Sequence, residues 1–160
     1  MSKKFVSSVL AVLLLAGCSS SSAKTESKKE ETKKIDVGDA AAQIVSDLGL
    51  ENMTETPEKV LSGMFFTGDE DAFTDGAAYL SSTPTISDTV AVFNTKDVSK
   101  CEEDLNTYVD NTKNTAAAYN GEELTKFDNL VLEDNGSTVV MIISADKDAA
   151  QKAADKVLGK

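Results

Sequence analysis

The sequence predicts an α+β fold: a four-stranded antiparallel sheet of ββαββα type with helices packed mainly on one face, preceded by N-terminal helices. Three observations carry this. Residues 89–94 and 139–144 are short aliphatic, largely β-branched runs, which suit strands. Asn135-Gly136 sits between two apolar runs, and this pair is the strongest short-range hairpin signal because both turn positions favour positive φ. Each strand pair is followed by apolar residues three or four apart, the helical spacing.

In chain order, Asp36 followed by Asp39 starts a helix whose inward residues are Ala40, Ala41, Ile44, Val45 and Leu48, and Gly49 suits the position just past its end. A short second helix starts at Thr56, with Pro57 in its first turn and Val60 and Leu61 facing inward. Residues 63–75 are irregular, with Phe65, Phe66 and Phe73 as packing anchors. Residues 76–82 and 89–94 pair as strands around a turn at Thr83-Pro84-Thr85. A long helix over 96–119 carries the stripe Val98, Cys101, Leu105, Tyr108 and Val109. Cys101 is thereby a small core residue. Residues 129–133 and 138–144 form the second hairpin, and Ala149, Ala153, Val157 and Leu158 mark a closing helix, with Ser144 helping to cap it. The two strand-to-helix units align at an offset of 50, a likeness that local physics yields without duplication.

Ahead of the domain stands a segment of another kind. Lys3 and Lys4, an apolar run from Val9 to Leu15, and then Leu15-Ala16-Gly17-Cys18 follow the order of an export signal with a cysteine just past its cleavage site. The tetrapeptide resembles the lipobox of bacterial lipoproteins. That resemblance implies cleavage between Gly17 and Cys18 and a diacylglyceryl group on the Cys18 sulfur. The apolar run is shorter than the roughly 20 residues a membrane span needs, and Ser7 and Ser8 interrupt it. The expected organisation is a cleaved signal over 1–17, a lipidated cysteine with a disordered basic tether over 18–35, and an acidic α+β domain over 36–160. The tether is serines and charged residues with almost nothing to bury, and its reach is about 20–25 Å.

Charge separates the two mature parts. The tether holds five lysines and three glutamates, whereas the domain holds nine lysines against 24 acidic residues, a net charge of −15. Such a domain repels nucleic-acid phosphates. The chain has no histidine and no arginine, which removes imidazole acid–base catalysis, the usual histidine zinc sites and bidentate guanidinium clamps. No cofactor is expected.

Three constellations have candidate chemistry. Asp69, Asp71 and Asp75 crowd carboxylates into one segment, the ligand type calcium takes, though the spacing does not match an EF-hand loop. Ser144-Ala145-Asp146-Lys147 has the Ser-x-x-Lys form of penicillin-binding enzymes, and Ser87-Asp88-Thr89 is a faint match to their second motif. Their Lys-Thr-Gly element is absent and the order is wrong. Tyr79 and Ser81 share one face of a strand and offer an aromatic beside a hydroxyl, a pairing able to hold a sugar or peptide.

Several patterns in order carry a wider resemblance: the lipobox, the acidic start before the sheet, Ala77-Ala78-Tyr79-Leu80-Ser81-Ser82, Val90-Ala91-Val92-Phe93, the helix ending in Ala118-Tyr119, and the strand over 139–144. Together they resemble the clostridial lipoproteins grouped as domain of unknown function 4358. The family has no established activity. What it implies is export from a Gram-positive anaerobe, lipid anchoring and an α+β domain. The function expected is a non-catalytic binding or accessory domain on the extracytoplasmic face of the cell membrane. Its partners would be membrane lipid through acylated Cys18 and an envelope protein or small ligand, with no nucleic acid. The rival expectation is a small envelope hydrolase using carboxylates or a Ser–Lys pair, which requires paired acids in a cleft.

Overall fold

Five strands form one antiparallel sheet in the order β1-β2-β3-β5-β4, where β1 is Met53–Glu55, β2 is Asp75–Ser81, β3 is Thr89–Asn94, β4 is Val131–Asp134 and β5 is Thr138–Ile143. The computed structural model describes residues 34–69 and 71–160. The expected export signal, Cys18 and the tether up to residue 33 lie outside the described residues. Among the described residues, no helix is long and apolar enough to cross a membrane.

The sheet has five strands rather than four. The added strand, β1, pairs Met53 with Ser81 and Glu55 with Tyr79 at the edge of β2. Three residues are too few to show a period of two, so only the pairing partner defines it. The helices are α1 (Val37–Asp47), α2 (Glu58–Phe65), α3 (Val98–Tyr119), α4 (Leu124–Asp128) and α5 (Lys147–Leu158), with a 3-10 turn at Gly121–Glu123 ahead of α4. Asp36, Asp97 and Asp146 cap α1, α3 and α5, each carboxylate accepting the backbone N–H three residues on at 3.0–3.1 Å. The cap of α5 is thus Asp146, not Ser144.

Helices cover both faces, not mainly one. Leu61, Phe65, Phe66, Cys101, Leu105 and Phe127 from α2 to α4 pack on Ala91, Phe93, Val139, Met141 and Ile143. Ala41, Ile44, Ala150 and Ala154 from α1 and α5 pack on the other face against Val90, Val92, Val140 and Ile142. Every residue of β3 and β5 is therefore buried, which is why both strands read as continuous apolar runs. Two-residue links, Thr95-Lys96 and Ser144-Ala145, lead from these strands to the caps of α3 and α5. The links correspond at an offset of 49, one less than the offset that aligns the strand faces. One residue reverses the side in a strand of period two, so the same exit sends α3 and α5 to opposite faces.

On α2, Leu61 and Phe65 are buried, but Val60 is 39% exposed and does not face inward. Phe65, Phe66 and Phe73 gather around Phe93 with ring centroids 4.8–5.4 Å apart.

Candidate functional site

The segment 82–88 between β2 and β3 is longer than a hairpin turn needs, and its own residues shape it. Pro84 starts a turn closed by the Ile86 N–H donating to the Thr83 carbonyl at 3.0 Å. The Ser81 hydroxyl oxygen accepts from the Thr83 N–H at 3.2 Å, and the Ser81 N–H donates to the Asp88 carbonyl at 3.0 Å, closing the neck. Two contacts then tie the loop to the chain beyond α3. Asn120 donates from Nδ2 to the Thr85 carbonyl at 3.0 Å, and the Ser87 N–H donates to Glu123 Oε2 at 2.7 Å.

That glutamate belongs to a nearly buried ionic triad. Lys126 Nζ lies 2.9 Å from Glu123 Oε2 and 3.0 Å from Asp88 Oδ1, and the three side chains are only 14%, 9% and 18% exposed in the order Lys126, Glu123, Asp88. Burial is the largest single influence on the Glu123 carboxyl and pushes it up, but the Ser87 amide and the Lys126 ammonium together outweigh it and hold it below the usual range. The same holds in reverse for Lys126, where Glu123 and Asp88 overcome burial and raise its pKa. The loop is thereby fixed to α4 by charge-assisted bonds.

Between this loop and the last turns of α3 lies a cavity of about 470 Å³. Leu80, Pro84, Ile86 and Ala116 give it apolar surface, Tyr108 and Tyr119 give it aromatic rings, and Ser81, Thr83, Thr85, Ser87, Asp88, Thr89, Thr112, Thr115 and Asn120 supply polar atoms. Tyr119 is 80% exposed at the C-terminal end of α3. Burial pushes the Tyr108 phenol up, while hydrogen bonds with Thr89 and Thr112 act the other way without cancelling it. The hydroxyls of Thr89, Thr112 and Thr115 already donate to the carbonyls of Ser87, Tyr108 and Asn111 at 2.8–3.1 Å.

The residues singled out from sequence are scattered by comparison. Ser81 lines the cavity; Tyr79 does not, because it packs with the α1 and α5 cluster. Burial and the carboxylate of Glu55 on β1 push the Tyr79 phenol up. The two share a strand face by parity, yet of the pair only Ser81, the last residue of β2, borders the cavity. The described carboxylates of the acidic segment do not converge on one point. Asp69 pairs with Lys100 at 2.5 Å, Asp75 pairs with Lys34, and Asp71 is exposed. Those lysine bonds hold the Asp69 and Asp75 carboxyls low. Among the described residues, no group of three histidine, cysteine or acidic side chains is placed to hold a metal ion. Ser144 is buried at the end of β5 with its hydroxyl donating to the Asp146 carbonyl at 3.4 Å, and Lys147 is exposed. Cys101 is buried, and burial pushes its thiol up to about 12.

The cavity itself was missed from sequence, although two signals pointed to it. One is the long Ser/Thr/Pro loop. The other is the second half of α3, where the apolar stripe gives way to Thr112 and Thr115 and only Ala116 remains buried. No curated protein and no solved structure matches the chain. The sequence model of the family described as Domain of unknown function (DUF4358) matches residues 46–144, from the end of α1 to the end of β5 and across the whole cavity wall, and the chain belongs to that family.

Proposed function

We propose that this protein is a lipid-anchored, non-catalytic binding domain of the bacterial cell envelope, held on the extracytoplasmic face of the membrane through Cys18 and taking a small ligand in the cavity beside the 82–88 loop. One observation carries the binding half: the cavity is already formed, and its loop is fixed by the Glu123–Lys126–Asp88 triad rather than left to close on a ligand. A pre-formed concave site with apolar walls and a few placed polar groups is the usual form of a ligand site. Support for a non-catalytic role comes from the engagement of Asp88, the carboxylate in the lining, with Lys126 at 3.0 Å. A free acid–base pair, which a hydrolase would require, has no counterpart in that arrangement. The anchoring half rests on the order of Lys3, Lys4, the apolar run and Leu15-Ala16-Gly17-Cys18.

Two measurements test the reading. Metabolic labelling with an alkyne palmitate should mark the wild-type chain in the membrane fraction, and Cys18→Ala should abolish the label and release the protein; unchanged labelling would remove the anchor from the proposal. For the cavity, amide chemical shifts under titration with small neutral, cationic and anionic compounds should move in residues 81–89 and 108–120. Silence there with every class would remove the binding site.

A further inference from the structure

We propose that the cavity selects a small organic cation, a protonated primary amine carried on an apolar body. This deepens the binding reading above and rests on it. The hydrogen-bond inventory of the wall comes first. Thr89, Thr112 and Thr115 donate their hydroxyl protons to backbone carbonyls, which leaves acceptor oxygens in the wall, although Thr89 and Thr112 also hydrogen-bond Tyr108. Asn120 Nδ2 already donates to the Thr85 carbonyl. The threonine oxygens and the Asp88 carboxylate are acceptors that an ammonium group, with three donors and no acceptor, can use.

Charge points the same way. Two carboxylates, Asp88 and Glu123, share the single ammonium of Lys126, which leaves the triad one unit negative beside the cavity. Among the described residues, no lysine lines the cavity. The 36–160 domain, with nine lysines against 24 acidic residues, draws cations from solution and repels anions. Tyr108 and Tyr119 put aromatic rings in the lining, and aromatic rings attract cations. Leu80, Ile86 and Ala116 accept an alkyl body, and a volume of about 470 Å³ suits a compact molecule.

The test uses three probes of one shape: cyclohexylmethylammonium, cyclohexylmethanol and cyclohexanecarboxylate. Each is titrated into the full-length chain carrying Cys18→Ala, read by amide chemical shifts. The ammonium should shift Ser87, Asp88, Thr89 and Thr112 and bind about fivefold more tightly than the alcohol, with the carboxylate weaker than both. Asp88→Asn should reduce the preference for ammonium over alcohol to less than about twofold. Tyr119→Ala, at an exposed position, should leave the fold intact and weaken ammonium binding about threefold or more. Equal binding of the alcohol, or a preference that survives both substitutions, overturns the cation assignment while leaving the cavity a binding site. Absence of shifts at these amides with all three probes overturns the binding reading with it.

Discussion

Gly76 lies on β2 directly across from Phe93 on β3, and the space its missing side chain leaves is filled by the Phe93 ring. A Cβ added there would stand 2.5 Å and 2.6 Å from Phe93 Cδ1 and Cε1, and 3.2 Å from Leu61 Cδ1. Relief requires the ring to retreat by about 1 Å to ordinary contact. It has nowhere to go, because Phe65, Phe66 and Phe73 hold it at centroid distances of 5.4, 4.8 and 5.3 Å. Overpacking of this kind costs about 1–3 kcal/mol. Against it, Gly→Ala recovers about 0.4–1 kcal/mol by narrowing the unfolded ensemble. Gly76→Ala should therefore destabilise the domain by about 1–2 kcal/mol. Thermal unfolding should show a drop of roughly 3–8 °C. In urea the midpoint should fall at constant m value. A double-mutant cycle with Phe93→Leu locates the cause: the smaller side chain should absorb most of the Gly76→Ala penalty, giving a favourable coupling of about 1 kcal/mol. A neutral Gly76→Ala, or strictly additive effects of the two changes, would refute the steric account.

The buried triad makes stability depend on pH in a stated direction. The folded-state pKa of Glu123 lies below its unfolded value, so its contribution is full above the unfolded pKa and is lost as pH falls through the folded one. Glu123→Gln should cost about 1–2 kcal/mol at pH 7, and urea unfolding should show the gap to wild type shrinking well below about pH 4. A gap of equal size at acid pH would count against the ionic origin. In a Cys18→Ala background, the Cys101 thiol, buried and pushed up to about 12, should resist a thiol-reactive dye at pH 8 and react fully in denaturant. Rapid native labelling would place it at the surface. Asp146→Ala, which removes the cap of α5, should lower stability by about 1 kcal/mol in the same unfolding assay, and no change would mean the cap bond is idle.

Local chemistry made much of the fold legible. Strands β3 and β5 announced themselves because burial on both faces demands unbroken apolar runs. Gly136 takes φ 89° in the three-residue turn between β4 and β5, as the Asn-Gly signal favours, whereas Asn135 does not take positive φ. The stripe of α3 placed Cys101, Leu105 and Val109 in the core, where they are. The number of helix-bearing faces was not legible, because it turns on a single residue of strand parity rather than on any stretch of composition. Nor was β1, whose three residues owe their conformation to the edge of β2. The cavity was hidden for a different reason: its loop is fixed by contacts between residues far apart in sequence, Ser87 with Glu123 and Thr85 with Asn120. Such pairings leave no periodicity. Strand parity put Tyr79 and Ser81 on one face but could not say which of them borders the cavity; Tyr79 packs with the α1 and α5 cluster and Ser81 lines the cavity.

The entry of the chain into the domain has a mechanical meaning. Lys34 pairs with Asp75, and the carbonyl of Ile35 accepts from Asn94 Nδ2 at 2.9 Å, while Asn94 Oδ1 in turn accepts from the Thr138 hydroxyl at 2.7 Å. Tension on the N-terminus is thus delivered into the two central strands, at the end of the sheet where Asp75 meets Asn94. The cavity opens at the opposite end, where Leu80 meets Thr89, roughly 17 Å along the strand at about 3.4 Å per residue. A load applied at Ile35 therefore enters the sheet at one end of its central ladder, and the 82–88 loop stands at the other.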